Sequence, residues 1–227
     1  MSLADRLGEA QQRIAAAASN CGRAAEEIKL IVVTKNHPTQ LVFDLLDLGV
    51  RDFGENRDQE AAPKALEVRE HSALEHRWHF IGQLQSNKVK SVVSYADSIH
   101  SLDRQSLLDA LGKATIERHV PLDVFIQLNL TDDPARGGIQ PQNLLGFAEK
   151  VLKHRGLNLV GVMGVAALDN NLDRDFGAIR SASESLKSIK PDANLISAGM
   201  SEDFETAIAF GATHLRIGSA ITGKRQY

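Results

Sequence analysis

Short runs of Val, Ile and Leu recur eight times along this chain, and a stretch with helical spacing separates each from the next. Periodicity and turn residues place strands at 30–35, 50–54, 78–82, 98–102, 123–129, 157–165, 194–198 and 214–217. Helices are expected at 3–20, from Pro38 to Gly49, from beyond Gly54 to about residue 70, and from Ser86 to Val93. Further helices run from Asp103, read as a cap, to about His119, from Pro141 to His154, over about 173–189, and from Glu202 to Phe210. The apolar runs mostly do not alternate with polar residues, as expected of strands buried on both faces. Strands alternating with helices imply a parallel sheet. Eight such units imply closure into one α/β domain over residues 1–227, a (β/α)8 TIM-type barrel. No helix is expected after residue 217, and the N-terminal helix is expected to complete the outer ring. The rival is an open doubly wound sheet, whose first turn is normally rich in glycine. The corresponding turn here, TKNHPTQ, has none.

Bulk properties narrow the function classes. A net charge of −3 leaves no basic excess to neutralise phosphates along a nucleic acid. The single Cys21 can form neither an internal disulfide nor a metal cluster, which suits a reducing cytoplasm. The first nineteen residues, MSLADRLGEAQQRIAAAAS, carry charges throughout and lack the apolar core of a signal peptide. No apolar run approaches the ~20 residues that span a bilayer, so no membrane role is expected. His76 and His79 in HRWH lack a metal-binding spacing, and no zinc site is expected.

In a barrel of this type the site forms at the C-terminal ends of the strands. Those ends carry Lys35, Glu55 and Asn56, Gln83 to Lys88, Ser101, Asn129, Met163, Gly199 to Ser201, and Arg216 with Gly218 and Ser219. Lys35 closes the greasy run LIVV, and Ile31 and Val33 share its face, so it is placed to crown the barrel interior. A partly desolvated lysine is a carbonyl-seeking amine. An ordinary solvated lysine is the bland alternative. Ser201 reads as an N-cap and, in addition, as part of an anion cradle. Gly218-Ser219 can bring backbone N–H groups close to a ligand, and the loops after strands seven and eight are the usual barrel phosphate site. Arg216 lies on the interior face, with an internal ion pair to Glu55 as its structural alternative. Asn56 reads as a helix cap, and the run Gln83–Lys88 as a loop capping the next helix. An amine, an arginine and a phosphate cradle at one mouth fit pyridoxal 5′-phosphate (PLP). They would equally serve a Schiff-base aldolase acting on a sugar phosphate.

The segments VVTKNHP, FGENRDQE, WHFIGQLQSNK, SLDR, GVMG and ISAGMSEDFETAIAFGATHLRIGSAITG together resemble the pyridoxal-phosphate homeostasis protein family, which has the fold of the alanine racemase N-terminal domain. The resemblance runs from about residue 3 to 223. It implies that Lys35 bears PLP as an internal aldimine. It implies that Ser201, Gly218 and Ser219 grip the phosphate, that Arg216 faces the pyridine nitrogen, and that Asn56 lies beside the ring. It also implies a cytoplasmic, monomeric protein that takes part in PLP homeostasis, with secondary effects on amino-acid metabolism. PLP-dependent apoenzymes would be the acceptors, and no firm enzyme activity is assigned to members. The chain departs from the family pattern at Arg136, where a lysine is frequent, after strand six, where a proline is frequent, and at Ala198, where a methionine is common.

Arginine opposite the ring nitrogen leaves that nitrogen unprotonated and the ring a poorer electron sink. Alanine racemases work with arginine but add a second domain carrying a tyrosine base. Here the tyrosines are Tyr95 and Tyr227, neither at an expected strand end, and no room remains for that domain. A carrier of PLP is therefore the expected role. A weak PLP-dependent amino-acid racemase is the first alternative and the aldolase the second; an interaction protein with an empty mouth is disfavoured by the polar strand ends.

Overall fold

A computed structural model of the chain describes residues 1–131, 133, 136–167 and 171–223. Eight parallel strands close into a barrel in sequence order: β1 (Lys29–Val33), β2 (Asp52–Glu55), β3 (Arg77–Phe80), β4 (Ser98–Leu102), β5 (Leu122–Gln127), β6 (Leu157–Met163), β7 (Leu195–Ser197) and β8 (His214–Ile217). The open sheet is thereby excluded, because β8 pairs with β1 through Lys29↔His214 to Val32↔Ile217. Around the barrel stand α1 (Leu3–Asn20), α2 (Thr39–Asp47), α3 (Asp58–His71), α4 (Val89–Val93), α5 (Gln105–Ala114), α6 (Leu144–Val151), α7 (Leu172–Lys187), α8 (Phe204–Ala209) and α9 (Ser219–Thr222).

Local chemistry explains the helix ends. Ser2 and Asp5 form a reciprocal capping box at the start of α1. The stripe Leu7, Ala10, Ile14, Ala17 and Ala18 is buried, and α1 packs on α8 and α9, as expected of a helix completing the ring. Gly49, with φ of 89°, supplies the left-handed residue just beyond α2. The single turn α9 was not expected; four residues carry too little periodicity to read.

Several expected caps are not caps. Asp103 is buried and pairs with Arg104, which itself occupies the N-cap of α5. The N-cap of α3 is Arg57 rather than Asn56. Asp203, not Ser201, precedes α8, which starts two residues later than its acidic first turn had indicated. No side chain caps the 3-10 turn at Ser86–Lys88 or α4. Five strands also end earlier than expected: β1 stops at Val33, β3 at Phe80, β5 at Gln127, β6 at Met163 and β7 at Ser197.

Strand residues alternate between two interiors. Outward-facing residues such as Val32, Phe53, Ile99, Val124 and Leu215 pack with Leu45, Leu107, Phe176 and Phe204 of the helices in one apolar cluster. The inward apolar cluster is far smaller: Phe125, Val160 and Met163, with Leu195 against them. The rest of the lumen contains Ile31 and Val33, against which Gly54 packs, together with polar side chains.

Candidate functional site at the barrel mouth

Lys35 lies two residues past the end of β1 and is half-buried. Its neighbours are fixed from α3. Lys64 Nζ donates to the Thr34 carbonyl at 3.0 Å and to Glu55 Oε1 at 2.6 Å. Thr34 Oγ1 donates to the same Glu55 oxygen at 2.7 Å. Beyond Lys35, the Asn36 amide donates to the Glu60 carboxylate, and Asn36 adopts a left-handed φ of 61°, which asparagine tolerates. Glu55 thus faces the helices and pairs with Lys64, so the Glu55–Arg216 ion pair weighed as the structural alternative does not form. Burial raises the Glu55 carboxyl, and Lys64 opposes the rise.

Extending the Val33↔Gly54 register by two residues sets Lys35 beside Asn56. The Asn56 Oδ1 atom is buried and has no hydrogen-bond partner among the described residues. Such an atom costs free energy unless something supplies a donor. Across the β1–β8 seam, Gly218 lies against Val33: a methyl group there would sit 3.4 Å from Val33 Cβ. Ser201 and Ser219 meet with their hydroxyl oxygens 3.5 Å apart, and the Ala220 amide points at Ser201 Oγ from 3.4 Å. Freed from capping α8, Ser201 instead belongs with the start of α9, where the first amides have no intrahelical acceptor.

Arg216 projects into the lumen and is only 5 % exposed. Its Nη1 donates to Ser197 Oγ at 2.5 Å and its Nη2 to the Gly164 carbonyl at 2.9 Å. No carboxylate lies within ion-pairing distance of it among the described residues. Burial lowers its guanidinium to about 10, with Asp203 pulling the other way. The six expected site residues therefore share one arc of the rim, formed by the ends of β7, β8, β1 and β2.

Other expected mouth residues do different work. Asn129 organises the loop after β5, accepting from the Thr131 amide and hydroxyl at 2.9 Å and donating to the Asp133 carbonyl at 2.9 Å. Tyr95 lies outside the barrel, 3.4 Å from Asp58 Oδ1. Tyr227 lies outside the described residues. Gln83, Asp103, Arg104, Gly137 and Gly138 line a separate polar cleft of about 360 Å³. Met200 and Val165 are exposed.

Sequence reasoning missed Ser197 and three buried histidines, His79, His100 and His214. His100 stacks on Phe125 with ring centroids 4.3 Å apart, and His214 meets the same phenyl ring edge-on. Burial holds His100 well below the usual histidine range and lowers His214 to about 3. His79 and His100 sit inside their strands and His214 opens β8, each beside at least one apolar residue, so strand parity was the available signal. Among the described residues no group of His, Cys, Asp or Glu is arranged to hold a metal ion. No described helix is long and apolar enough to cross a membrane.

Residues 9–226 match the family model described as alanine racemase, N-terminal domain. Similar curated proteins include the pyridoxal phosphate homeostasis proteins of Escherichia coli, 38 % identical over 99 % of this chain and 97 % of that protein, and of Mycobacterium leprae, 37 % identical over 96 % and 90 %. Among solved structures, PipY of Synechococcus elongatus with PLP bound superposes with a TM-score of 0.82 at 30 % identity, covering 98 % of this chain and all of that one. Alanine racemase from Corynebacterium glutamicum shares the fold, with a TM-score of 0.67 at 16 % identity over 96 % of this chain and 60 % of that one. By the extent of these matches, the chain belongs to the pyridoxal phosphate homeostasis proteins, within the alanine racemase N-terminal domain family.

Proposed function

We propose that this barrel domain holds PLP at its mouth through a Schiff base between Lys35 Nζ and the cofactor aldehyde, formed with loss of water, and takes part in PLP homeostasis. In this reading Ser201, Gly218 and Ser219 hold the phosphate, Arg216 faces the pyridine nitrogen, and Asn56 lies beside the ring with its unpartnered oxygen. The observation that carries it is Arg216, a cation buried in the lumen with no carboxylate in ion-pairing distance among the described residues, next to a cradle of two hydroxyls and a glycine. When bound, PLP supplies an electron sink to amines joined to it. Arg216 is a donor-only side chain, and its charge disfavours a proton on a nitrogen beside it. That setting suits holding and release better than turnover. The relatives' names and the PLP in the PipY structure support the same reading. The reading further takes the protein to be a cytoplasmic monomer, PLP-dependent apoenzymes to be the acceptors, and any effect on amino-acid pools to be indirect.

The test is an absorbance spectrum of the protein with added PLP, before and after borohydride, for wild type and Lys35→Ala. A visible band that borohydride fixes to the chain, and that the variant lacks, is expected. Absence of the band from wild type would remove the PLP reading. Interconversion of amino-acid enantiomers that depends on Lys35 would replace the carrier role with a racemase.

A further inference from the structure

Behind Arg216 the lumen contains a continuous polar chain that the cofactor reading does not use. From Arg216 Nη1 it passes to Ser197 Oγ at 2.5 Å, then to His100 Nδ1 at 2.7 Å. His100 Nε2 lies 3.0 Å from His79 Nδ1, and His79 Nε2 lies 2.8 Å from Asp52 Oδ1. Lys29 Nζ donates to both Asp52 oxygens at 3.1 Å. Lys29 and Asp52 begin their strands, whereas Arg216 stands near the end of β8, so the chain runs from the N-terminal face of the barrel towards the mouth.

Elementary valence fixes its direction. A guanidinium only donates and a carboxylate only accepts. Ser197 Oγ therefore accepts from Arg216 and gives its own proton to His100 Nδ1. His100 must carry its proton on Nε2 and donate it to His79 Nδ1. His79 in turn carries its proton on Nε2 and donates it to Asp52. Each neutral ring uses one donor and one acceptor, with none left over. Burial is the main cause holding both rings neutral, and for His79 the Asp52 carboxylate opposes it. Other charged or titratable groups acting on the chain are Lys29 and Arg77 at its outer end, His214 beside both rings, and Asp203 near Arg216. Every dipole in the series turns its negative end toward Arg216, and bonds in such a series polarise one another.

We infer that Ser197, His100, His79 and Asp52 act as one polarised unit that positions Arg216, so that a carboxylate at the far end of the barrel tunes how Arg216 holds its ligand at the mouth. None of the four is assigned a contact with the cofactor; they are positioning residues. Where the ligand is PLP, the inference rests on the function proposed above.

Two experiments test it. In cofactor-free protein labelled with 15N at histidine and arginine, long-range spectra read which ring nitrogen bears the proton. Protons on Nε2 of both His79 and His100 are expected. Lys29→Met, at a partly exposed site, should shift the resonances of His100 and of the Arg216 guanidinium as well as those of His79. A proton on Nδ1 of either ring, or a Lys29→Met effect that stops at His79, overturns the inference. With PLP added, Asp52→Asn should weaken the dissociation constant roughly fivefold, the low end of coupling between separate sites, and move the pH midpoint of the absorbance band. Borohydride trapping on Lys35 should persist. A lower melting temperature with unchanged dissociation constant and midpoint would make the chain merely structural and overturn the inference. If Asp52→Asn does not fold, Lys29→Met takes its place in the same titration. If wild type shows no band, the cofactor reading fails and the cofactor-free spectra alone decide for or against the chain.

Discussion

On the outer side of the barrel wall, Val32, Phe53, Ile99 and Leu215 pack against helices in one apolar cluster. On the inner side, neighbours in the same strands present Asp52, His79, His100 and Arg216. Lumens of such barrels are usually filled by branched apolar side chains. Here the inner apolar cluster centres on three residues, and hydrogen bonds take over much of its role. The difference separates two tasks. The jacket contributes most of the burial that stabilises the fold. The lumen gives up some of that contribution to carry a charge to the mouth and hold it in one orientation.

The sharpest challenge to this division is Lys64, a charge on the jacket side. It is 4 % exposed and pairs with Glu55, itself 1 % exposed, at 2.6 Å. Lys64→Ala leaves a buried carboxylate unpaired and should cost about 3–5 kcal/mol in a urea melt. An effect under about 1 kcal/mol would mean that Glu55 simply takes up a proton. Leu107→Ala, in the jacket and fully buried, should cost about 3 kcal/mol while leaving PLP affinity unchanged. A matching loss of affinity would show that the two interiors are not separable.

The lumen should reveal itself through pH. His214 is lowered to about 3 when folded, against 6.5 as its ordinary value. The unfolded chain therefore binds the proton first, and stability present above pH 6.5 is lost as the pH falls below it. Between pH 6.5 and 5 this one ring should remove about 2 kcal/mol, with His79 and His100 acting in the same direction. Denaturant titrations at the two pH values check this, and His214→Phe should flatten the slope. The smallest effect is expected outside both interiors. Ser2→Ala breaks the capping box of α1 and should cost about 1 kcal/mol, detectable as a small fall in melting temperature with no change at the mouth.

The jacket was the legible half. Runs such as LIVV and a helix stripe such as that of α2 depend on composition and spacing, which a sequence displays directly. The rim positions of Lys35, Arg216, Gly218 and Ser219 were legible as well, because strand ends can be located within a residue or two. The histidines were not. WHF, IHS and THL each place one histidine among apolar or small residues, and only the barrel's parity tells inner from outer. In β4 even parity is disturbed, because the pairing with β5 shifts between Ile99 and Leu102. The cap role of Ser201 was misread for a related reason: its hydroxyl meets the Ala220 amide, 19 positions away in a turn too short to have been read.

The seam between β1 and β8 has a consequence for how the chain is made. β1 occupies residues 29–33 and its closing partner residues 214–217. During synthesis one edge of β1 stays unpaired until almost all described residues have left the ribosome. An open strand edge is a template for joining other chains. The helix that precedes it, α1, later packs on α8 and α9 and donates from Arg6 to the Ile221 carbonyl at 2.6 Å, so its final partners are also the last to appear. A newborn copy therefore remains an unsealed sheet until residues 214–217 emerge, and its vulnerability to aggregation ends abruptly when the ring shuts.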